Sequence, residues 1–325
     1  MHPHRARAPW SNIGHAPGNI ACDHGCFGRA SDDRAAQTVA RRYLEELSQR
    51  LKAPLPEFSR QHPTKAAEEA DFHSEFGKER FTEAVDRVKQ YIVDGDVMQV
   101  VLAQRLSVEL KVSPLDVYRA LRHLNPSPYL FFFDYGDFKI FGSSPEAQIV
   151  INNKKAEIHP IAGTFKRTGD DQKDQMTAKE LAKDPKENSE HIMLVDLARN
   201  DLSRSGNNVK VEKSREIQFY SHVIHLVSKV TAEIKEDIKS YQVVEDTFPA
   251  GTLSGAPKHK ALELIEKYEK VNRNFYGGAI GFIDFKGNFN HAIIIRSFFS
   301  KNNILNYQAG AGIVIDLKPE KELEE

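Results

Sequence analysis

The stretch 129-YLFFFDYGDFKIFGSSPEAQIVINNKKAEIHPIAGT-164 decides the fold class of this chain. It contains several short runs of aromatic and β-branched residues, and such runs are typical of β-strands. Residues that favour turns, mainly Gly, Asn and Asp, separate the runs. The stretch therefore predicts three or four strands joined by turns.

The sequence on both sides of this stretch alternates groups of strands with groups of helices. Apolar periodicity and turn residues predict the following further elements. Helices are expected over 33–51, 76–95, 113–126 (with Ser113 as cap and Pro114 in the first turn) and 255–272, with a helical region over 173–203. Strands are expected over 97–110, 277–285, 291–300 and 304–315, with a strand-rich segment over 209–234. Long antiparallel strands in runs, with helices grouped between them, predict an α+β fold of large mixed or antiparallel β-sheets flanked by helices.

The composition argues against several classes of protein. The chain has 325 residues and a formal net charge of -1, so its total charge does not predict binding to nucleic acid. No apolar run approaches the roughly 20 residues of a membrane span, and the amino terminus lacks the apolar core of a signal peptide. Cys22 and Cys26, with His24 between them, are too few for a disulfide framework or a structural zinc site. We therefore expect a soluble, cytoplasmic protein.

Carboxylates crowd one predicted helix in residues 184–201, DPKENSEHIMLVDLARND. Four of them, Glu187, Glu190, Asp196 and Asp201, lie close to the apolar face of this helix. A carboxylate is costly to bury unless it meets a cation, so either these groups are solvated or a positive charge lies against them. Glu187 and Glu190 share a helix face, and Glu322 and Glu325 have the same spacing. Two such pairs brought together would suit Mg²⁺; the alternative is that both pairs lie on a solvated surface.

Two glycine-rich segments could bring the backbone close to an anion. PAGTLSGAPK precedes a predicted helix and carries Thr252 and Lys258, and a helix amino terminus attracts anions. YQAGAGIV places Gly310 and Gly312 in a predicted strand, where glycine often marks the close approach of a ligand or of another backbone. The alternative is that these glycines form ordinary turns and a bulge.

Three single groups are also candidates for a functional site. Arg296 lies in the apolar run AIIIRSF, where a cation needs an anionic partner. His225 alternates with apolar residues, and Glu146 follows a predicted strand on a loop. A hydrogen-bonded core histidine and an exposed loop charge are the alternatives. Taken alone, these residues indicate a small anionic substrate, a divalent ion and one or two acid–base groups.

Ten motifs in this order resemble the chorismate-utilising enzyme family, and within it the anthranilate-forming branch. They extend from about residue 76 to the end of the chain. The motifs are DVMQVVLAQR, NPSPYLFFF, SSPE, PIAGT, DPKENSEHIMLVDLARNDL, YSHVIHLVS, FPAGTLSGAPK, YGGAIGF, AIIIR and QAGAGIVIDLKPEKELEE.

The resemblance implies a metal site and a substrate site. Glu190 and Glu325 match direct Mg²⁺ ligands, Glu187 and Glu322 match ligands that act through water, and the metal holds the ring carboxylate of chorismate. The positions that match contacts to the second carboxylate or to the ring are Arg296, Tyr276, Gly310, Ala311, Gly312, Thr164, Thr252, Ala162 and Lys258.

The resemblance also implies a lyase reaction in tryptophan biosynthesis. Ammonia adds at ring carbon 2 as the carbon 4 hydroxyl leaves, and elimination of pyruvate then gives anthranilate. Glu146 matches the general acid, for which we predict a raised pKa. His225 matches a residue linked to the elimination of pyruvate.

Two positions distinguish the branches of the family. Gln99 stands where isochorismate synthases carry a lysine that activates water, and Ala162 stands where one type of aminodeoxychorismate synthase carries a nucleophilic lysine. The resemblance therefore implies direct attack by ammonia, supplied by a separate glutamine amidotransferase subunit. An aminodeoxychorismate synthase, an isochorismate-type synthase, and a catalytically silent fragment or partner subunit are the alternatives.

The chain also departs from the family pattern. No Leu-Leu-Glu-Ser-type motif for tryptophan feedback is present, FKRTG replaces the usual RPRG after PIAGT, and Leu317 stands where a small polar residue is usual. The family continues as a helix beyond the position of Glu325. We therefore expect residues 1–71 to be a divergent or truncated region of leader, helix and linker. Residues 72–325 are expected to form a chorismate-binding catalytic domain with a truncated terminal helix.

Overall fold

The computed structural model describes residues 33–52, 72–220 and 223–317. The chain divides into two units, with the boundary between Glu68 and Glu69. In the first unit the structure describes one helix, α1 (Asp33–Lys52), in agreement with the helix predicted there. The segment that carries Cys22, His24 and Cys26 lies outside the described residues.

The second unit contains two large antiparallel sheets. Its strands are β1 (His73–Ser74), β2 (Gln99–Glu109), β3 (Tyr129–Asp134), β4 (Phe138–Ser144), β5 (Ala147–Asn152), β6 (Lys155–Ile158), β7 (Ile161–Lys166), β8 (Gly206–Phe219), β9 (Val223–Ile234), β10 (Gly255–Ala256), β11 (Ala279–Ile283), β12 (Phe289–Ile293), β13 (Ser297–Lys301) and β14 (Ile304–Ile313). Sheet A has the order β1-β2-β14-β13-β4-β3, with β10 also on β2. Sheet B has the order β11-β12-β5-β6-β9-β7, with β8 also on β9.

The helices of the second unit lie between these runs of strands in the sequence. They are α2 (Lys78–Val93), α3 (Pro114–Leu124), α4 (Asp171–Leu181), α5 (Pro185–Ser205), α6 (Ser240–Thr247), α7 (Gly251–Ser254) and α8 (Lys258–Tyr268). The predicted α+β class is confirmed. Ser113 caps α3, as predicted, by accepting a hydrogen bond from Leu115 N at 3.2 Å. Among the helices that the structure describes, none has the length and hydrophobicity needed to cross a lipid bilayer.

Two of the strand predictions differ from the structure. The stretch 129–164 forms five strands, β3 to β7, rather than three or four. The run HAIIIRSFFS, expected to be one strand, is divided into β12 and β13, which belong to different sheets. Arg296 lies at this division with φ 49°. A left-handed residue cannot continue a strand, so the chain bends there.

Each sheet is covered by helices on one apolar face. Against sheet A, α2 and α8 bury a cluster that contains Val85, Leu102, Leu264 and Ile313, and Leu317 belongs to the same cluster. Burial in that cluster explains the apolar residue at position 317. Against sheet B, a second cluster contains Ile149, Leu202, Val230 and Val243, which come from β5, α5, β9 and α6. The two sheets therefore have separate cores.

The guanidinium group of Arg273 joins three segments near sheet A. It donates to the backbone oxygen of Val101 at 2.7 Å and to that of Leu253 at 2.5 Å. It also pairs with the carboxylate of Glu269, whose side chain is only 5% exposed. Glu269 in turn accepts a hydrogen bond from Ala103 N at 2.8 Å. Arg273 thus ties β2 to the short helix α7.

We expect Arg273→Met to lower the free energy of unfolding by about 3–5 kcal/mol, because it leaves the buried Glu269 carboxylate without its cation. Arg119→Met is a matched control, since Arg119 makes an exposed pair with Asp116 at 3.4 Å. That control should change stability by less than about 1 kcal/mol. Denaturant unfolding followed by circular dichroism measures both values. Equal losses in the two variants would contradict this account of Arg273.

Candidate active site

The chain passes between the two sheets at two adjacent places. One passage joins β4 to β5 and contains Glu146, and the other joins β12 to β13 and contains Arg296. Backbone hydrogen bonds hold the passages together: Ile293 N donates to Glu146 O at 3.0 Å, and Ser143 N donates to Arg296 O at 3.1 Å. A carboxylate and a guanidinium that are far apart in the sequence are thereby placed side by side.

Glu146 has the electrostatic environment of an acid that holds its proton near neutrality. Burial raises its pKa from 4.5 to about 7, and this effect exceeds the opposing effects of Thr252 and Arg296. The Thr252 hydroxyl donates to Glu146 Oε1 at 3.0 Å. Both residues line an open pocket whose wall includes Leu194 and Leu197 of α5. The predicted rise of the pKa agrees with this geometry.

Arg296 is exposed, unlike the buried, paired cation that its apolar neighbours predicted. Within the described parts of the chain it forms no ion pair with a carboxylate. Its positive charge nevertheless lowers the pKa of both Glu146 and His225, so each of these two groups lies within electrostatic reach of Arg296. An exposed guanidinium between an acid and an imidazole is suited to hold an anion.

His225 lies on β9, where it pairs with Thr164 of β7. Its Nδ1 lies 2.9 Å from Gly163 O. A carbonyl can only accept, so Nδ1 carries the proton. Burial is the main cause that lowers the pKa of His225, which keeps the ring neutral at pH 7. Thr164 and Ala162 both lie on β7, the strand that pairs with β9 beside His225.

Glu187 and Glu190 lie in the first turns of α5. The Asp184 side chain caps this helix by accepting from the backbone N of Lys186 at 2.9 Å and of Glu187 at 3.0 Å. Burial is the largest cause that raises the pKa of Glu187. Glu190 lies 3.9 Å from Lys186 Nζ. Glu187 is thus half-buried rather than fully solvated.

The predicted metal site is described only in part. Glu322 and Glu325 lie outside the described residues. Among the residues that are described, no group of three or more His, Cys, Asp or Glu side chains could hold a metal ion. The convergence of the two glutamate pairs therefore stays a prediction.

A second group of predicted residues lies on one face of sheet A. A side chain at Gly310 would meet the Tyr276 hydroxyl at 2.7 Å, and one at Gly312 would meet Gln99 Nε2 at 2.9 Å. Burial raises the pKa of Tyr276, so its hydroxyl keeps its proton. The side chain of Ala311 points to the opposite face and packs against the sheet A core. Only its backbone shares the face of the two glycines.

Lys258 has its partners inside the protein. Its ammonium donates to Asp201 Oδ2 at 2.6 Å and to Thr247 O at 2.7 Å. Lys258 is therefore the cation that was expected beside a buried carboxylate of this helix, here Asp201. Because its ammonium is bound to protein groups, this geometry does not support the predicted contact of Lys258 with a substrate. Asp196 is exposed and pairs with Arg199. The four carboxylates of α5 thus have different environments.

Gly163 and Arg273 are site residues that were not identified from the sequence. Gly163 has φ 70° at a bulge in β7, its carbonyl accepts a hydrogen bond from His225, and a Cβ added there would lie 3.1 Å from Glu187 Oε2. The glycine of PIAGT was the available signal, because glycine within a strand often marks a bulge. Nothing in the local sequence distinguishes Arg273 from other charged residues near the end of a helix.

Comparison with known proteins agrees with the resemblance. A family model described as chorismate binding enzyme matches residues 6–325. The chain is 44% identical over 285 residues to anthranilate synthase component 1 of Pseudomonas aeruginosa, covering 87% of this chain and 58% of the relative. It is 46% identical over 257 residues to the protein of that name from Aquifex aeolicus, covering 78% and 52%.

A solved structure shows the same fold. The chain resembles anthranilate synthase component I from Streptococcus pneumoniae with a TM-score of 0.81 and 36% identity, covering 89% of this chain and 64% of that one. The chain therefore spans about half the length of the curated relatives it matches.

The raised pKa of Glu146 predicts a specific pH dependence of stability. Between pH 4.5 and about 7 the unfolded chain loses this proton while the folded protein keeps it, so the contribution of Glu146 to stability falls with rising pH. Glu146→Gln removes this dependence. We expect the variant to gain stability relative to the original protein from pH 4.5 to 7, and to gain nothing more above pH 8. Chemical unfolding at several pH values measures the difference, and a constant difference would refute the raised pKa.

Proposed function

Because the chain belongs to the chorismate-binding enzyme family, we propose that it converts chorismate and ammonia to anthranilate, pyruvate and water. The observation that carries this proposal is the placement of Glu146, whose pKa burial raises to about 7, beside the exposed Arg296. An acid that holds its proton at pH 7 can protonate a leaving hydroxyl, and the adjacent cation can hold a carboxylate of the same substrate. Relatives named anthranilate synthase component 1 favour this reaction over the alternatives.

The binding of chorismate is proposed to use two separated sets of donors. Arg296, the Tyr276 hydroxyl and the backbone amides at Gly310 and Gly312 would hold the carboxylate of the enolpyruvyl arm. The absence of a side chain at these glycines lets the carboxylate reach the backbone N–H groups. A dianionic substrate needs a second positive group for its ring carboxylate.

Glu187 and Glu190 fit a role in holding Mg²⁺ for that ring carboxylate. They are hard oxygen donors on one helix face, and the missing side chain of Gly163 leaves room beside the Glu187 carboxylate. Bound Mg²⁺ would neutralise and orient the ring carboxylate. Glu322 and Glu325 are proposed as the other ligands, as the resemblance implies.

Glu146, Thr252 and His225 are proposed to carry the acid–base steps. Ammonia bonds to ring carbon 2, and the carbon 4 hydroxyl leaves as water with a proton from Glu146. The nitrogen on carbon 2 then returns one proton to the Glu146 carboxylate. Thr252 orients that carboxyl group through its hydrogen bond. His225 then accepts the carbon 2 proton at Nε2, because Nδ1 already donates to Gly163. The bond from carbon 3 to the enolpyruvyl oxygen breaks, the leaving group takes up the proton held by His225 to become pyruvate, and the ring becomes aromatic.

The proposal also includes a partner that supplies ammonia. Neither Gln99 nor Ala162 provides a nucleophile or a strong base, so ammonia itself would attack the ring. Ammonia is mostly protonated at neutral pH. The relatives are named as one component of a synthase, and a glutamine amidotransferase subunit is proposed as the second component.

A direct assay tests the function. The purified protein, mixed with chorismate, Mg²⁺ and ammonium at alkaline pH, should produce the fluorescence of anthranilate. A non-fluorescent aminated product would support an aminodeoxychorismate synthase instead. Absence of any product from protein that circular dichroism shows to be folded would support the silent fragment.

Variants test the assigned roles. We expect Glu146→Gln to slow amination by roughly 100- to 10 000-fold while the fold is kept, since it removes the general acid. Glu190→Gln should abolish turnover by weakening the Mg²⁺ site. Glu263→Gln is the matched control, because Glu263 is a half-exposed carboxylate on α8. Turnover like that of the control in either variant would remove that residue from the mechanism.

A further inference from the structure

The bulge in β7 brings two functional side chains against a single glycine. The pairing of β7 with β9 shifts register between Ala162 and Thr164, and Gly163, between them, has φ 70°. This left-handed conformation favours glycine. Because the bulged residue is not part of the regular ladder, its carbonyl can accept a hydrogen bond from a side chain. That carbonyl accepts the hydrogen bond from His225 Nδ1 at 2.9 Å.

The α-carbon of Gly163 faces α4 and α5. A Cβ built at this position would lie 3.1 Å from Glu187 Oε2 and 3.6 Å from Glu187 Cβ. It would also lie 2.7 Å from Leu181 Cδ1. Leu181 is fully buried in a small cluster with Ala178, so it has little room to move. Any side chain at position 163 would therefore push against the Glu187 carboxylate.

The two contacts act on different parts of the site. The carbonyl contact selects the His225 tautomer with the proton on Nδ1. The absence of a Cβ at Gly163 lets the Glu187 carboxylate lie close to β7. Both depend on one backbone conformation, so a change at Gly163 alters the imidazole and the carboxylate together.

We propose that Gly163 is a positioning residue that places Glu187 for the divalent ion and holds His225 in its reactive tautomer. The proposal rests on the function proposed above for Glu187 and His225. Gly163 acts through these two groups, and it explains why a glycine rather than another small residue precedes Thr164.

Gly163→Ala tests the proposal, with Gly169→Ala as its matched control. Gly169 has φ 83°, but a Cβ there would meet nothing within 4 Å. The control therefore introduces similar backbone strain without touching any neighbour. We expect Gly163→Ala to weaken Mg²⁺ binding, measured by calorimetry with chorismate present, by roughly 10- to 100-fold, as is usual when the residues that orient metal ligands are changed. Gly169→Ala should bind Mg²⁺ like the original protein.

A second measurement does not depend on the metal. Nitrogen-15 NMR of the imidazoles in metal-free protein should show His225 protonated at Nδ1 in the original protein and in Gly169→Ala. A mixture of tautomers is expected in Gly163→Ala. If Gly163→Ala does not fold, the double variant with Leu181→Val makes room in the core and leaves the contact with Glu187.

The outcomes separate this proposal from the proposed function. Equal Mg²⁺ affinity in both glycine variants, with an unchanged His225 tautomer, would overturn the role of Gly163. If the original protein itself binds no Mg²⁺ with chorismate, the metal role of Glu187 fails. The NMR comparison then still decides whether Gly163 holds His225.

Discussion

The paired passage of the chain between the two sheets is the constraint on which the candidate site depends. Glu146 lies in the segment that connects β4 to β5, and Arg296 lies in the segment that connects β12 to β13. Two backbone hydrogen bonds join these segments. Arg296 holds a left-handed φ of 49° there. Such a conformation is unfavourable for a residue with a side chain and persists only where the surrounding structure imposes it. Here both sheets impose it, because each continues on its own side of the bend.

The electrostatics of the site follow from where these passages lie. Burial raises the pKa of Glu146 to about 7 and lowers that of His225, so near pH 7 Glu146 is protonated in roughly half of the molecules and His225 is largely neutral. The charge of Arg296 opposes the rise in the pKa of Glu146 and adds to the lowering of the pKa of His225. The guanidinium of Arg296 is therefore the permanent charge beside these two groups. A neutral acid and a neutral base next to a cation are suited to an anionic substrate that must gain one proton and lose another.

The sequence allowed the elements to be predicted better than their assembly. The strand-rich stretch 129–164 and the cap at Ser113 depend on local preferences, and the α+β class followed from them. The division of HAIIIRSFFS between two sheets could not be predicted, because an unbroken apolar run carries no signal of a bend. The environment of Lys258 was also hidden, since its partner Asp201 lies on another helix. The roles of Glu146 and His225 came from the family resemblance, whereas the structure supplies the causes of their pKa shifts.

Glycines recur wherever two distant parts of the site must approach closely. Tyr276 lies over Gly310, Gln99 lies over Gly312, and Glu187 lies beside Gly163. In each case a methyl group would meet a polar atom of a residue that is distant in the sequence. The three positions differ in backbone conformation, since only Gly163 requires a left-handed φ. The shared requirement is therefore space: each glycine leaves room for a polar side chain of the site that a Cβ would displace.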